Sequence, residues 1–239
     1  MFNQHAFNRF VIDNSVVGFF EKPVVLKSGR TSNWYVNWRK VSNDVFLLEQ
    51  LAQQVNAFLT DLVDQGKISA PECIYGVPEG ATKLGILVQY LSARTAPGYG
   101  KGSHVLAMGR GNPKQHGAPE DRFFVGMPRG GTVVLEDVTT TGGSLLTTID
   151  ALNEAGVEVL GAVGLTNRME RRDDGASVLE AIGAKRSGGR SIPYFHMSSA
   201  CDLLPEICRK DSPSEEVMRS IEAEFLEFGV QPVKLLSQS

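Results

Sequence analysis

The sequence predicts an α/β fold with a mainly parallel central sheet flanked by helices and an N-terminal lid. Apolar, β-rich runs alternate with segments of helical period through the middle of the chain, the order that βαβ crossovers require. The runs are apolar along most of their length, as strands covered on both faces must be. With 239 residues and 42% hydrophobic side chains, the chain is long enough to bury the core that such a sheet needs.

An N-terminal helical stretch comes first. A hairpin follows across VVLKSGRTSNWYVNW (24–38), turning at Ser28-Gly29-Arg30, and then a helix near 43–65. These elements make residues 1–70 a hood over the sheet. Strands are expected at CIYGV (73–77), HVLAMG (104–109), TVVLED (132–137), VEVLGAVGLTN (157–167) and SIPYFHMS (191–198). Between them, ATKLGILVQYLSA and GGSLLTTIDALNEAG repeat apolar residues at helical spacing, the second ending in a glycine stop. Residues 71–211 are thus the α/β core. KDSPSEE is polar and interrupted by proline, and a last helix near 214–228 with a fraying tail makes 212–239 a C-terminal helical extension.

Composition excludes several classes. A net charge of −3 and a pI near 5.9 provide no global basic field for nucleic acid. Cys73, Cys201 and Cys208 form no C-x-x-C pair and no ligand-spaced set with the histidines, which suits a reducing compartment. The N-terminus MFNQHAFNRFVIDN lacks a basic segment followed by an apolar one, and no apolar run reaches the roughly 18 residues of a membrane span. A soluble cytoplasmic protein without nucleic-acid or membrane partners is expected.

The chemistry concentrates in VVLEDVTTTGGS (133–144). Ligands of parallel α/β sheets bind beyond the carboxyl ends of the strands, where Glu136, Asp137 and the following loop must lie. Thr140, Thr141, Gly142, Gly143 and Ser144 offer hydroxyls and unobstructed backbone N–H groups at a helix start, where the dipole favours an anion such as a phosphate monoester. The acids would repel that phosphate. As acceptors they suit vicinal sugar hydroxyls, or a hydrated metal beside them. A 5-phosphoribosyl group satisfies both halves.

This stretch resembles the phosphoribosyl diphosphate signature of the type I phosphoribosyltransferases. The resemblance implies that Glu136 and Asp137 contact the ribose hydroxyls while Thr140 to Ser144 wrap the 5-phosphate. Three more segments are similar to orotate phosphoribosyltransferases. LKSGRTSNWYVN (26–37) resembles the segment that faces base and diphosphate, which implies contacts from Lys27, Trp34 and Tyr35, with Thr140 also near orotate. MGRGNPKQHGAPEDR (108–122) is similar to the mobile catalytic loop, which implies that Arg110, Lys114 and His116 act on the diphosphate and, with Asp137, form the catalytic set. In GLTNRMERRDDG (164–175) the resemblance makes Arg168 the residue that recognises orotate.

YGVPEGATKLG (75–85) looks like the family's diphosphate loop. The chain departs from the pattern at Gly80 and Gly111, where relatives often carry lysine. Whether Lys83, one helical turn on, replaces the first is open. The family implies Mg²⁺ held mainly by substrate and water, with no direct protein ligand, and a homodimer whose loop 110–122 reaches the partner's site. The expected reaction is transfer of phosphoribose to orotate, giving orotidine 5′-phosphate and diphosphate in pyrimidine nucleotide synthesis. The alternatives are a sister enzyme for a purine base and a non-catalytic sensor of phosphoribosyl diphosphate.

Overall fold

The computed structural model describes residues 1–26 and 28–236. Helix α1 (Gln4–Asp13) starts at Asn3, whose side chain accepts the Ala6 N–H, and it buries Phe7 and Val11. Strands β1 (Val17–Val25) and β2 (Thr31–Val36) form the expected antiparallel hairpin, with Val24 opposite Ser32. After the single turn α2 (Arg39–Ser42) comes α3 (Val45–Asp64). Asp44 caps α3, and Leu51, Ala52, Val55, Leu59 and Leu62 recur at helical spacing as its buried stripe.

The core follows as β3 (Cys73–Gly76), α4 (Thr82–Thr95), α5 (Pro119–Phe123), β4 (Thr132–Thr139), α6 (Gly143–Glu154) and β5 (Val159–Asn167). Next are α7 (Val178–Gly183), the two-residue strands β6 (Arg186–Ser187) and β7 (Arg190–Ser191), β8 (Tyr194–Ser199), α8 (Ala200–Asp211) and α9 (Glu215–Phe228). The central sheet runs β3-β4-β5-β8, every neighbouring pair parallel. Strand alternation divides its side chains between two cores. Ile74, Val133, Leu135, Val163, Leu165 and Met197 join Phe7, Leu51, Leu203 and Phe225, so the hood, the sheet and the C-terminal helix share one core. On the other face Tyr75, Val134, Ala162 and Tyr194 pack with Leu145, Ile149 and Ile182 of α6 and α7.

Two expectations are corrected. Residues 104–109 form no sheet strand. Their backbone pairs instead with the segment downstream, through Val125 N–H to Met108 O at 2.7 Å, Met108 N–H to Gly126 O at 3.2 Å and an antiparallel bridge between Gly109 and Phe124. That pairing consumes the bonds a parallel ladder would need and closes the 110–123 loop at its base. The tail, expected to fray, is tied down as far as Leu236. One carboxylate oxygen of Glu222 accepts the N–H groups of Leu235 at 2.6 Å and Leu236 at 3.0 Å, and Val233 is buried. No helix among the described residues is long and apolar enough to cross a membrane.

The same two backbone hydrogen bonds hold the Glu222 carboxyl below the usual carboxylate range. An acid with a depressed folded pKa stabilises the fold above its unfolded pKa, and that stabilisation is lost as pH falls through the folded value. After correction for intrinsic rates, the Leu235 and Leu236 amides should exchange hydrogen slowly at neutral pH. They should exchange faster in Glu222→Gln or below the ordinary carboxylate range, and equal protection in the variant would remove the anchor.

Candidate active site

Strand β4 delivers the chain to the carboxyl edge of the sheet, and the loop after it turns directly into α6. Gly142 makes that turn with φ of 71°, a left-handed conformation that L side chains avoid. The first turn of α6 therefore borders a cavity of about 730 Å³. Glu136, Thr140, Thr141, Gly142, Gly143 and Ser144 all line it, with Ser28 of the hairpin turn on its border. The structure thus brings together one acid, the hydroxyls and the glycines of the 133–144 stretch. Arg172, which the sequence reading did not single out, secures the loop by donating from its guanidinium to Thr141 O at 2.6 Å. Its only signal was the repeated arginine of NRMERRDDG.

The two acids part company, because successive residues of a strand point to opposite faces. Glu136 is 6% exposed and lines the first cavity. Asp137 lines a second cavity of about 470 Å³ between hood and core, together with Phe20, Tyr35, Asn37, Trp38 and Arg39. Backbone at Gly80 lies against the Asp137 carboxylate, and a Cβ added there would collide with it. A lysine at that position would displace the acid. Lys83 does not replace it in either cavity: its ammonium donates to Ser42 O at 3.3 Å and Asn43 Oδ1 at 3.0 Å, across the α2–α3 junction.

The 110–122 loop contributes Arg110, Gly111 and Pro113 to the first cavity. Arg110 Nε donates to Asp121 O at 3.2 Å, which turns the side chain back on its own loop. Lys114 and His116 are exposed and line neither cavity. Within one chain the structure does not bring them to the site. A Cβ at Gly111 would lie 2.6 Å from a carboxylate oxygen of Glu79, so the glycine matches a close approach to the diphosphate-loop segment.

The aromatic pair of β2 also divides. Tyr35 faces the second cavity and packs against Phe20 with ring centroids 4.6 Å apart. Trp34 is fully buried on the opposite face, stacked on Phe225 at 6.1 Å. Arg168 lies with Trp34. Its guanidinium sits 3.6 Å over the Trp34 ring. Nε donates to Glu170 at 2.6 Å, and one terminal nitrogen donates to Glu224 at 2.9 Å and Ser32 Oγ at 3.1 Å. Arg168 is 2% exposed and lines neither cavity. Lys27 falls outside the described residues.

Glu224 comes from the extension that the sequence left without a role. It also accepts from Trp34 Nε1 at 3.2 Å and Ser32 Oγ at 2.8 Å. Burial raises its pKa, while Arg168 and Ser32 oppose that shift. The signal in the sequence was an acid interrupting the apolar stripe Val217, Ile221, Phe225 of α9. Glu170 completes the cluster by accepting from Arg30 at 3.0 Å, and Arg30 stacks over Phe228 at 4.5 Å.

No family model matches the chain. Among solved structures, the crystal structure of orotate phosphoribosyltransferase from Francisella tularensis shares its fold, with a TM-score of 0.62 over 94% of this chain and 99% of that chain, at 20% identity. That likeness defines the class of fold, a parallel α/β sheet with helices on both faces. The orotate phosphoribosyltransferase of Sorangium cellulosum is 31% identical over 198 residues, 79% of this chain and 88% of that protein. That of Ralstonia nicotianae is 27% identical over 233 residues, 96% of each. The chain belongs to the orotate phosphoribosyltransferase family.

Removing one partner of a buried ion pair strands the other charge. Glu170 still serves Arg168 when Glu224 is lost, so Glu224→Ala should lower unfolding free energy by about 3 kcal/mol, within the range for a hydrogen-bonded buried charge. Denaturant unfolding measures it. A loss under about 1 kcal/mol, the scale of a surface pair, would show that the cluster contributes little.

Proposed function

We propose that this protein transfers the phosphoribosyl group of 5-phosphoribosyl 1-diphosphate to N1 of orotate, releasing orotidine 5′-phosphate and diphosphate. The observation that carries this reading is the convergence of Glu136 with Thr140 to Ser144 in one cavity at the first turn of α6. A phosphate at those N–H groups and hydroxyls leaves the sugar over the end of β4. There its hydroxyls meet carboxylates able only to accept.

The reaction breaks the C1–O bond to diphosphate and forms the C1–N1 bond to the base. Positive character builds on the ribose ring and negative charge on the leaving group, so fixed charges and positioning supply the catalysis. Arg110 stands at the first cavity for the leaving group. Lys114 and His116 are exposed on a loop closed at its base, which suits a role in the site of a second copy. We propose a homodimer on that ground, working in the cytoplasm. Mg²⁺ would be held mainly by substrate oxygens and water, since among the described residues no group of three or more His, Cys, Asp or Glu is placed to hold an ion. When bound, the ion would neutralise diphosphate charge.

Purified protein mixed with orotate, phosphoribosyl diphosphate and Mg²⁺ should consume orotate, read as loss of its absorbance, and should ignore adenine, hypoxanthine and uracil. Consumption of a purine instead would move the assignment to another base. Lys114→Ala should lower kcat about 10²-fold, the scale of one preorganised transition-state contact. Asp137→Asn should weaken phosphoribosyl diphosphate binding by calorimetry. If loops serve the partner's site, mixing these two impaired variants at a phosphoribosyl diphosphate concentration that leaves Asp137→Asn unsaturated, and letting subunits exchange, should restore about a quarter of wild-type activity, since half the dimers are mixed and each holds one intact site. No recovery, with exchange verified, would place Lys114 in its own subunit's site.

A further inference from the structure

We propose that Arg172 is a positioning residue for the 5-phosphate: it holds the peptide between Thr141 and Gly142 so that the loop offers the phosphate an N–H and not a carbonyl. The proposal rests on the phosphoribosyl reading of the first cavity and is independent of which base is used. Thr141 and Gly142 line that cavity, and Arg172 lines neither cavity. Its guanidinium reaches the loop from outside, donating from Nη1 to Thr141 O at 2.6 Å. A trans peptide carries its C=O and N–H on opposite sides. With Thr141 O drawn out to Arg172, the Gly142 N–H is turned away from it.

The loop needs such a hold because of its own glycine. Gly142 sits at φ of 71° and has no side chain to oppose rotation of the preceding peptide. Turned over, that peptide would set the Thr141 carbonyl, an acceptor, against an anion. A charge-assisted hydrogen bond to the carbonyl selects the other orientation. Arg172 can impose it because Arg172 is itself fixed. Its Nε donates to Asp174 at 3.3 Å, and the same carboxylate accepts the Ala176 N–H at 3.0 Å. The backbone closes the turn, with Arg172 N–H donating to Ala176 O at 2.8 Å and Gly175 N–H to Arg172 O at 3.0 Å. The segment is tied in turn to the hood, since Glu170 and Asp173 accept from Arg30 at 3.0 and 2.9 Å. Arg30 closes the hairpin turn whose Ser28 borders the first cavity. The arginine thus carries the position of a rigid turn into a loop that glycine leaves free to rotate.

The test compares wild type, Arg172→Ala and Arg172→Lys by calorimetry with two probes: ribose 5-phosphate, which carries the 5-phosphate and the sugar hydroxyls, and inorganic diphosphate, which carries neither. Arg172→Ala should weaken ribose 5-phosphate about tenfold or more, the scale of a lost charge-assisted hydrogen bond, and leave diphosphate unchanged. Arg172→Lys, which keeps a donor and the charge without the planar fork, should recover part of the loss. The weakening relative to wild type should persist in about 1 M salt, where charges more than about 3 Å apart are screened. In turnover, Arg172→Ala should raise the KM for phosphoribosyl diphosphate and leave the KM for the base as it was. Unchanged ribose 5-phosphate affinity in Arg172→Ala overturns the proposal. Equal weakening of both probes, the mark of a generally disturbed site, overturns it too, as does a loss that vanishes in salt. If wild type binds no ribose 5-phosphate, the phosphoribosyl reading of the cavity is what fails, and the role of Arg172 falls with it.

Discussion

A guanidinium as buried as Arg168 needs fixed negative charge around it, because its removal from water is compensated only by close, well-directed partners. The chain meets this requirement from three distant places: Glu170 just past β5, Glu224 on α9, and Ser32 on β2. Satisfying one cation therefore draws the hood hairpin, the carboxyl edge of the sheet and the C-terminal helix onto a common point. The order of β2 over the site depends on it. Trp34, which packs against both the guanidinium and Phe225, carries that constraint into the hydrophobic core. Tyr35 and the second cavity are placed as a consequence.

A second constraint is the two-residue period of extended chain. It applies to the acid pair Glu136 and Asp137 on β4 and to the aromatic pair Trp34 and Tyr35 on β2. In each pair one residue faces the cavity side where sequence reasoning put both, and its neighbour faces the other way. For the acids it sends one carboxylate to each of the two cavities at the end of β4. For the aromatics it separates a ring that borders ligand space from one that belongs to the core.

Local elements were legible because they follow from neighbouring residues. The cap at Asp44, the apolar stripe of α3 and the glycine turn at Gly142 need only the chain within a few residues. The loop between β4 and α6 was equally legible, since strand, hydroxyls, glycines and helix start are contiguous. The run at 104–109 was misread for a non-local reason. Its apolar pattern suits a strand, but residues 124–126 claimed its backbone hydrogen bonds before a sheet neighbour could. The setting of Arg168 was hidden for a similar reason. Its partner Glu224 lies 56 positions away in a segment that offered no motif.

By itself, the sequence determined the α/β class, the sequential elements, the hydroxyl- and glycine-rich loop from Thr140 to Ser144 and the family that these motifs resemble. Each depends on short-range periodicity or on a contiguous motif, which are properties of the chain before it folds. Tertiary structure decided which cations remain available to a ligand. A charge is free or spent according to its neighbours in space. Arg168 is spent on two buried carboxylates, one of them 56 positions away on α9, whereas Arg110 borders the first cavity.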